Sequence, residues 1–297
     1  MSENFLKYGR LAIYITVSSL SVFALVGCTS GYGQKFQELG TIKEGTFQEK
    51  ELSEGVYFCQ GEFSDLNGTV QALSLLTIDT DKAEVCLGYI KGERHPVSSL
   101  AKQYDAIAAV NGGYFNYTTP VTPSGFFKAN STIVNANPVN EVADCGYLYI
   151  DPPSFYGIWT PEELQVDRYR NVFWSYPILL LDGKVSRRMG DFSHVASRHA
   201  RTAFGITSSQ QILLLVVDKG HAVNSADRVP EGMTCLELAN VMKKLDASEA
   251  INLDGGGSST MYIRGEDAPV NVPSESVDAN VKKERPVYSI LYVVSRQ

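Results

Sequence analysis

The stretch Asp254-Gly255-Gly256-Gly257-Ser258-Ser259 places a carboxylate, three glycines and two hydroxyls within six residues. Glycine loses more conformational entropy on folding than any other residue, so three in a row indicate a sharp bend or a close approach of the backbone. The N–H groups of such a bend can bind an anion, and a carboxylate beside it can serve as an acid, a base or a nucleophile. A hairpin turn without chemistry is the alternative, although three glycines exceed what a hairpin needs.

Three further polar clusters stand at the ends of predicted strands: Asn111-Gly112-Gly113, Arg201-Thr202 and Asp218. Arg201 offers a planar cation that can hold a phosphate through two hydrogen bonds, and a structural ion pair is its other interpretation. Asn111-Gly112 also fits a type I′ hairpin turn, and Asp218 a cap on the turn after its strand. Because binding and catalytic residues concentrate where strands give way to loops, we expect Asn111, Arg201, Asp218 and Asp254 to line one pocket.

A third candidate carboxylate, Glu237, closes the sequence Thr234-Cys235-Leu236-Glu237, a capping box that predicts the start of a helix. Capping explains this glutamate without chemistry, and catalysis is the other interpretation. A serine nucleophile is not indicated, because Gly256-Gly257-Ser258-Ser259-Thr260 lacks the second glycine of a nucleophile elbow.

Three histidines, His194, His199 and His221, lie near Arg201 and Asp218 in the sequence. Histidine is a common metal ligand, but the irregular spacing of these three favours histidines in surface loops. No metal ligand and no cofactor are therefore predicted, and dependence on a divalent metal stays open.

The elements that must position these residues are mostly strands. Strands are predicted at residues 56–58, 70–78, 83–90, 106–110, 178–181, 201–207, 211–218, 251–253, 261–263 and 287–294. Helices are predicted at 96–103 and from residue 235 onwards. This pattern predicts an α+β fold: a single domain with a mixed, mostly antiparallel sheet and one or two inserted helices. Residues 117–177 are rich in prolines and aromatics and give the weakest pattern.

The N-terminus resembles the signal peptide of a bacterial lipoprotein. Lys7 and Arg10 form a basic region, residues 11–26 carry no charge, and Leu25-Val26-Gly27-Cys28 follows. The resemblance implies that residues 1–27 are removed and that Cys28 is acylated, which would hold the protein on the outer side of a bacterial membrane. An anchor helix with an incidental cysteine is the alternative. Residues 28–50 are predicted to be a tether, and 51–297 the functional domain.

Composition narrows the partners further. The net charge of −7 argues against a nucleic-acid partner. The spacing of the remaining cysteines fits no zinc site. These four can form two disulfides in any of three pairings, or stay buried as thiols; they are Cys59, Cys86, Cys145 and Cys235.

Together, the polar clusters and their strands resemble the phosphodiester glycosidase family, which includes the enzyme that uncovers mannose 6-phosphate on lysosomal proteins. The matching segments follow the family's order over roughly residues 106–296. They are Val110-Asn111-Gly112-Gly113-Tyr114-Phe115, Leu180-Leu181-Asp182-Gly183-Lys184, Arg201-Thr202-Ala203-Phe204-Gly205-Ile206, Leu215-Val216-Val217-Asp218, Gly232-Met233-Thr234 with Leu236-Glu237-Leu238-Ala239, and Asn252-Leu253-Asp254-Gly255-Gly256-Gly257-Ser258-Ser259-Thr260.

The resemblance implies hydrolysis of a sugar-1-phosphodiester in an extracytoplasmic glycan or glycoconjugate of the bacterial cell envelope. Cleavage of an acetal uses carboxylates, and Asp254, Asp218 and Glu237 are the candidates. The predicted substrate contacts are Asn111, Gly112, Gly113, Arg201, Thr202, Gly255, Gly256, Gly257, Ser258 and Ser259. A lipid-anchored module that binds anionic glycans without cutting them is the alternative. The sugar, the leaving group and the stereochemical outcome stay open.

Overall fold

The computed structural model describes residues 31–66, 68–137, 145–153, 155–186, 189, 193–220, 229–276 and 281–296. Every strand pairing among them is antiparallel. The predicted α+β class is confirmed, because antiparallel sheets dominate and helices are few.

The strands, in chain order, are β1 (Thr41–Ile42), β2 (Gln48–Ser53), β3 (Val56–Leu66), β4 (Thr69–Ile78), β5 (Ala83–Tyr89), β6 (Ala108–Asn111), β7 (Phe115–Asn116), β8 (Thr122–Pro123), β9 (Phe127–Ala129), β10 (Thr132–Asn135), β11 (Gly146–Asp151), β12 (Phe155–Trp159), β13 (Val172–Ser175), β14 (Ile178–Leu181), β15 (Lys184–Val185), β16 (Arg201–Thr207), β17 (Ile212–Val217), β18 (Ala247–Asn252), β19 (Met261–Ile263) and β20 (Ser289–Ser295). The α-helices are α1 (Tyr32–Gln37), α2 (Val97–Gln103), α3 (Ser193–Ala196) and α4 (Cys235–Lys244), and 3₁₀ turns span Pro161–Glu163 and Gly256–Ser258.

The largest layer is a nine-stranded sheet in the order β1-β3-β4-β17-β16-β18-β14-β15, with β2 also paired to β3. Its central strands β16 and β17 are buried along their whole length, as a continuous apolar run predicts for a sheet covered on both faces. Phe204 and Leu214 enter the larger core, whereas Ala203 and Leu215 enter a second core with α4.

A four-stranded sheet, β19-β6-β20-β5, shares the larger core with the nine-stranded sheet. A five-stranded sheet, β10-β9-β13-β11-β12, lies within residues 117–177, which give the weakest pattern, and the pair β7-β8 lies at the start of this region. Aromatic side chains of the five-stranded sheet, such as Tyr147 and Trp174, form a third small core.

The three-glycine stretch connects two different sheets. β18 pairs with β16 and β14 in the nine-stranded sheet, whereas β19 pairs with β6 in the four-stranded sheet. A hairpin would pair β18 with β19, so the hairpin alternative is wrong. The glycines instead allow the backbone to cross the seam between two packed sheets.

The predicted tether at residues 28–50 is wrong where the structure describes it. α1, β1 and β2 belong to the domain, and Phe36 is fully buried with its ring 5.1 Å from that of Phe63. A six-residue helix and the mostly polar strand β2 are too short and too weakly amphipathic to give a periodic signal. Residues 1–30, including Cys28, lie outside the described residues. Within the described part of the chain, no helix is both long enough and apolar enough to cross a membrane.

No disulfide joins the four described cysteines, of which Cys59, Cys145 and Cys235 are buried and Cys86 is partly buried. Burial raises the pKa of Cys235, although the nearby Arg201 acts in the opposite direction.

Candidate active site

Asp254 follows directly on β18, at the seam between the two sheets. Its backbone N–H donates to the carbonyl of Gly112 at 3.2 Å, and its own carbonyl accepts a 2.6 Å bond from the side-chain amide of Asn111. Its carboxylate accepts a 2.9 Å bond from the N–H of Gly255. Contacts with β6 on one side and the glycine turn on the other therefore fix both the peptide and the side chain.

Asn111 is the centre of a buried polar network rather than part of an open surface. Its side-chain oxygen Oδ1 accepts hydrogen bonds from the Thr202 hydroxyl at 2.7 Å and from the backbone N–H of Thr260 at 3.2 Å. The Thr202 hydroxyl is also 3.2 Å from that of Ser259. Asn111, Thr202 and Ser259 are all fully buried, so these predicted substrate contacts lie beneath Asp254 and support it.

Asp254 itself is only partly buried. Burial raises the pKa of its carboxyl group to about 6, while the Ser258 hydroxyl and the positive charge of Arg285 act in the opposite direction. A carboxyl group with such a pKa exchanges a proton near neutral pH, which suits acid–base chemistry. Perturbed carboxyl groups of this kind are typical of functional sites.

The glycine turn wraps tightly around the start of β16. A Cβ on Gly255 would lie 2.8 Å from the carbonyl oxygen of Ala200, and Gly256 has a φ of +60°. The N–H of Gly255 bonds to Asp254, and that of Gly256 donates to the Ala200 carbonyl at 2.8 Å. Two of the three N–H groups expected to bind an anion are thus already occupied within the protein.

The other predicted glycines are packing positions. A Cβ on Gly112 would collide with the Ser289 hydroxyl, and one on Gly113 would lie 2.9 Å from the ring of Phe173. The Gly112 N–H donates to the Ser289 carbonyl at 2.8 Å. These glycines let β6, β20 and the five-stranded sheet approach the site closely.

A cation and a second carboxylate lie against the glycine turn. The Arg285 Nε donates to Glu275 Oε1 at 2.6 Å. A Cβ on Gly257 would lie 2.6 Å from that carboxylate oxygen and would also collide with Arg285 Nη2. Both side chains are partly exposed, so Arg285 combines proximity to Asp254 with access from solvent.

Tyr114 contacts a histidine and lies close enough to Asp254 for the carboxylate to affect its pKa. Its hydroxyl accepts from the Asn252 amide at 2.7 Å and lies 3.1 Å from both His194 Nε2 and the Tyr176 carbonyl. Burial raises the pKa of Tyr114 well above its ordinary value, and the Asp254 carboxylate raises it further. The phenol therefore stays neutral and serves as a fixed hydrogen-bonding group.

His194 is neutral because it is half-buried and lies beside a positive charge. Burial and the neighbouring Arg201 lower the pKa of His194 to about 4. Arg201 Nη1 lies 3.4 Å from its Nε2, and a guanidinium can only donate. Nε2 is therefore the acceptor, which places the proton of the neutral ring on Nδ1.

Arg201 is fully buried, and its described contacts are structural. Its Nε donates to the Met233 carbonyl at 2.8 Å, and its Nη2 to the carbonyls of His194 and Ser197 at 2.7 and 2.8 Å. The guanidinium thereby fixes α3 and the segment before α4 to the start of β16. Phosphate binding by Arg201 stays a prediction, and these contacts favour a structural role.

Asp218 belongs to the same network but faces another segment. Its two carboxylate oxygens accept from Asn271 Nδ2 at 2.8 Å and from the N–H of Val272 at 2.9 Å. The Asn271 amide also donates to the Ser259 carbonyl at 3.1 Å. Burial raises the pKa of Asp218 to about 6, and both hydrogen bonds oppose that shift. Its contacts hold residues 271–272 against the glycine turn, and catalysis by Asp218 stays a prediction.

Glu237 forms the predicted capping box at the start of α4. The N–H and hydroxyl of Thr234 donate to one of its carboxylate oxygens at 2.9 and 3.1 Å, and Arg198 donates to the other. The helix start is confirmed. Since both oxygens are engaged, the geometry favours the structural interpretation of Glu237 over the catalytic one.

The histidines do not form a metal site among the residues described. His194 and His199 have ring centroids 5.8 Å apart, and His221 lies outside the described residues. No group of three or more His, Cys, Asp or Glu side chains in the described part of the chain is arranged to hold a metal ion. The prediction that His194 lies in a surface loop is wrong, because this residue is half-buried beside Tyr114 and Tyr176.

Sequence reasoning missed four residues that the structure places at the site. Arg285 ends the charged run Lys282-Lys283-Glu284-Arg285, which is typical of a solvated surface, and Glu275 stands between two serines with no distinguishing pattern. Tyr114 lies inside a matching motif that suggests no role for it, and the spacing of His194 favours a surface loop. A useful signal was available only for Tyr114, which follows Asn111-Gly112-Gly113 directly.

The site combines a carboxyl group that titrates near neutral pH, a neighbouring guanidinium, and a supporting layer of buried amides and hydroxyls. This combination is suited to hydrolysis of an anionic substrate. The chain belongs to the phosphodiester glycosidase family, whose model matches residues 104–294. A search of curated protein sequences found no significant match.

Solved structures with a similar fold include the catalytic domain of N-acetylglucosamine-1-phosphodiester alpha-N-acetylglucosaminidase from zebrafish, auto-inhibited by its pro-peptide. It is 19% identical, with a TM-score of 0.61 over 87% of each chain. A hypothetical protein from Synechocystis is 13% identical, with a TM-score of 0.64 over 86% of this chain and 64% of that one. At these identities the likeness establishes the fold.

Proposed function

We propose that this protein hydrolyses a sugar-1-phosphodiester, with Asp254 acting at the anomeric carbon and Arg285 binding the phosphate. The observation that carries the proposal is the placement of a partly buried carboxyl group, whose pKa is raised to about 6, within electrostatic reach of a solvent-accessible guanidinium. Family membership supports the reaction class. The zebrafish relative is named for a sugar-1-phosphodiester substrate, which supports the bond that is cleaved.

The leaving group determines what Asp254 must do. A phosphate monoester departs as a stable anion, so it needs charge neutralisation more than protonation, and Arg285 supplies a cation suited to phosphate. The carboxylate then acts as a base on water or as the nucleophile. In the simpler case, the water oxygen bonds to the anomeric carbon and its proton moves to Asp254. The carbon–oxygen bond to phosphate breaks, with its electron pair on the departing phosphate.

The buried network prepares this chemistry before substrate arrives. Asn111 and the N–H of Gly255 hold the peptide and carboxylate of Asp254. Tyr114, whose pKa the Asp254 carboxylate raises, packs against Tyr176, and both rings are partly exposed. Aromatic and polar groups in this combination suit a sugar ring, which has apolar faces and polar edges. We propose further that the reaction takes place outside the cytoplasm, on a protein anchored through Cys28.

The test combines one substitution with a pH profile. Because the ionised carboxylate is the active form, kcat/KM for a sugar aryl-phosphodiester should rise with pH through about 6. Asp254→Asn should lower kcat about a hundred- to ten-thousand-fold while leaving the far-UV spectrum and the unfolding midpoint close to those of the parent.

Asp267→Asn, at an exposed aspartate, is the matched control and should keep full activity. Two results contradict the proposal: an Asp254→Asn variant as active as the parent, or a parent that binds the diester but never releases sugar. The second result would establish a glycan-binding module instead.

A further inference from the structure

Arg285, the cation that we assign to the phosphate, is paired with a carboxylate. Glu275 accepts the hydrogen bond from Arg285 Nε at 2.6 Å, and the two side chains are exposed to 34 and 28%. The bond uses one edge of the guanidinium, whose terminal nitrogen Nη2 lies against Gly257. An incoming phosphate would therefore meet Arg285 with a carboxylate already beside it.

The position of Glu275 is held by its own short segment. The next residue, Ser276, donates its N–H to the Pro273 carbonyl at 2.8 Å, and its hydroxyl accepts from the N–H of Lys283 at 2.9 Å. Gly257 leaves the space that the carboxylate and guanidinium occupy against the turn. The carboxylate is thus fixed on the same side of the turn as Arg285.

We propose that Glu275 is a specificity-determining residue, which admits the singly charged phosphodiester and disfavours the doubly charged phosphomonoester. This inference rests on the proposed function. A phosphodiester carries one negative charge, whereas a phosphomonoester carries about 1.5 to 2 near pH 7. Like charges brought together in a partly desolvated site repel, and such repulsion is a common source of selectivity.

The charges around the turn support this distinction. Arg285 is the cation that acts on Asp254, while Asp254 and Glu275 contribute two carboxylates. The second guanidinium of the region, Arg201, is directed to backbone carbonyls, and the Lys282 ammonium donates to the carbonyls of Pro269 and Val270. One phosphate charge therefore finds a partner in Arg285, and a second meets Glu275.

The same repulsion has a consequence for turnover. Hydrolysis releases a phosphomonoester, which carries more charge than the diester that entered. Glu275 then weakens binding of the product relative to the substrate, which favours release.

The experiment measures both ligands at pH 7.5 on the same variants. The probes are α-N-acetylglucosamine 1-(methyl phosphate) as the diester substrate and α-N-acetylglucosamine 1-phosphate as the monoester inhibitor. Glu275→Gln removes the charge and keeps the shape, so the inhibition constant of the monoester should fall about five- to tenfold. The KM of the diester should change by less than about threefold, because its single charge is affected less. Glu275→Asp keeps the charge and should retain most of the discrimination.

Glu284→Gln is the matched control. It removes the same charge from the same segment, but its carboxylate bonds to Ser98 rather than to Arg285, so the ratio of the two constants should not move. A purely structural role for Glu275 predicts equal changes for diester and monoester, and that result would overturn the inference.

Calorimetry with the Asp254→Asn variant separates this inference from the proposed function. That variant cannot turn over the diester if Asp254 is catalytic, so it reports binding alone. Preferential binding of the diester that disappears with the additional change Glu275→Gln supports the inference even if the parent proves inactive. Equal binding of both ligands, with a parent that hydrolyses the diester, overturns the inference and leaves the function standing.

Discussion

Gly257 shows how a single residue controls the distance between the glycine turn and its charged partners. A Cβ at this position would collide with Arg285 Nη2 and lie 2.6 Å from Glu275 Oε1. Both of these atoms are ends of flexible side chains, which can move without unfolding the chain. A substitution here therefore tests the site rather than the fold.

We predict that Gly257→Ala displaces the Arg285–Glu275 pair and lowers kcat/KM for the phosphodiester about ten- to a hundredfold, since small misplacements of binding groups cost that much. The far-UV spectrum and the unfolding midpoint should stay near those of the parent. Gly61→Ala is the control, because its Cβ would make only ordinary contacts, the nearest at 3.5 Å to Phe36. Unchanged steady-state kinetics in Gly257→Ala would show that the pair does not contribute to turnover.

At the scale of single residues, the sequence predicted the position of the candidate site better than it predicted the role of each side chain. Asp254 and Asn111 could be found because each stands at a strand end beside glycines, a pattern with few structural uses. For Arg201 the sequence cannot decide between the two roles, because a guanidinium that binds phosphate and one that binds carbonyls look identical in sequence. Arg285 and Glu275 approach Asp254 only through tertiary folding, ten residues apart from each other in the chain.

At the scale of elements, Asp218 joins the end of β17 to the segment that leads towards Glu275. Both of its carboxylate oxygens accept hydrogen bonds from residues 271–272, and the Asn271 amide also donates to the Ser259 carbonyl. The pKa of Asp218 is raised from 3.8 to about 6, and burial is the main cause. The folded state therefore holds the proton more tightly than the unfolded chain between about pH 4 and 6.

This linkage predicts how stability depends on pH. The protonated Asp218 stabilises the fold below about pH 4, and this contribution is lost as the pH rises through about 6. The free energy of unfolding of the parent, relative to that of Asp218→Asn, should therefore fall by about 2–3 kcal/mol between pH 4 and 7. Urea unfolding at four pH values measures it, with Asp267→Asn at an exposed position as the control. Parallel curves for the parent and Asp218→Asn would rule the linkage out.

Elements with a strong local signal were predicted well. The apolar run at 211–218 became the buried strand β17, and the capping box marked the start of α4. The pairing of the five-stranded sheet was not predicted, because its strands are only three to six residues long and proline-containing loops separate several of them. Their pairing depends on contacts distant in sequence, such as Val172 with Lys128, which local periodicity does not report.

At the scale of the whole molecule, the N-terminal segment is where the structure departs most from the predicted domain boundaries. Tyr32, Phe36 and Leu39 are buried in the core that α4 also contacts, so the domain begins near residue 32 rather than at 51. Local sequence patterns could not predict this burial, since three apolar residues over eight positions are compatible with a linker. Burial of their side chains became visible only with β3 and β4 in place.

We propose that Cys28, four residues before Tyr32, determines the location of the protein. We predict that Cys28→Ala abolishes acylation, so that the protein either stays unprocessed or leaves the membrane fraction. Cell fractionation with labelling by a palmitate analogue measures both outcomes. Cys86→Ala is a suitable control, because it removes a different thiol from the same chain. Normal processing and membrane retention of Cys28→Ala would refute the lipid anchor.

The proposed anchor at Cys28, together with a domain that starts at α1, would restrict the region above the membrane that the active site can reach. Tyr32 follows Cys28 by four residues, and an extended chain spans at most about 3.3–3.6 Å per residue. Tyr32, where the domain begins, would then lie within roughly 14 Å of the acylated cysteine. Substrates would be selected by height above the bilayer as well as by chemistry: glycans linked near the membrane would be cleaved, and the same phosphodiester farther out in the envelope would escape.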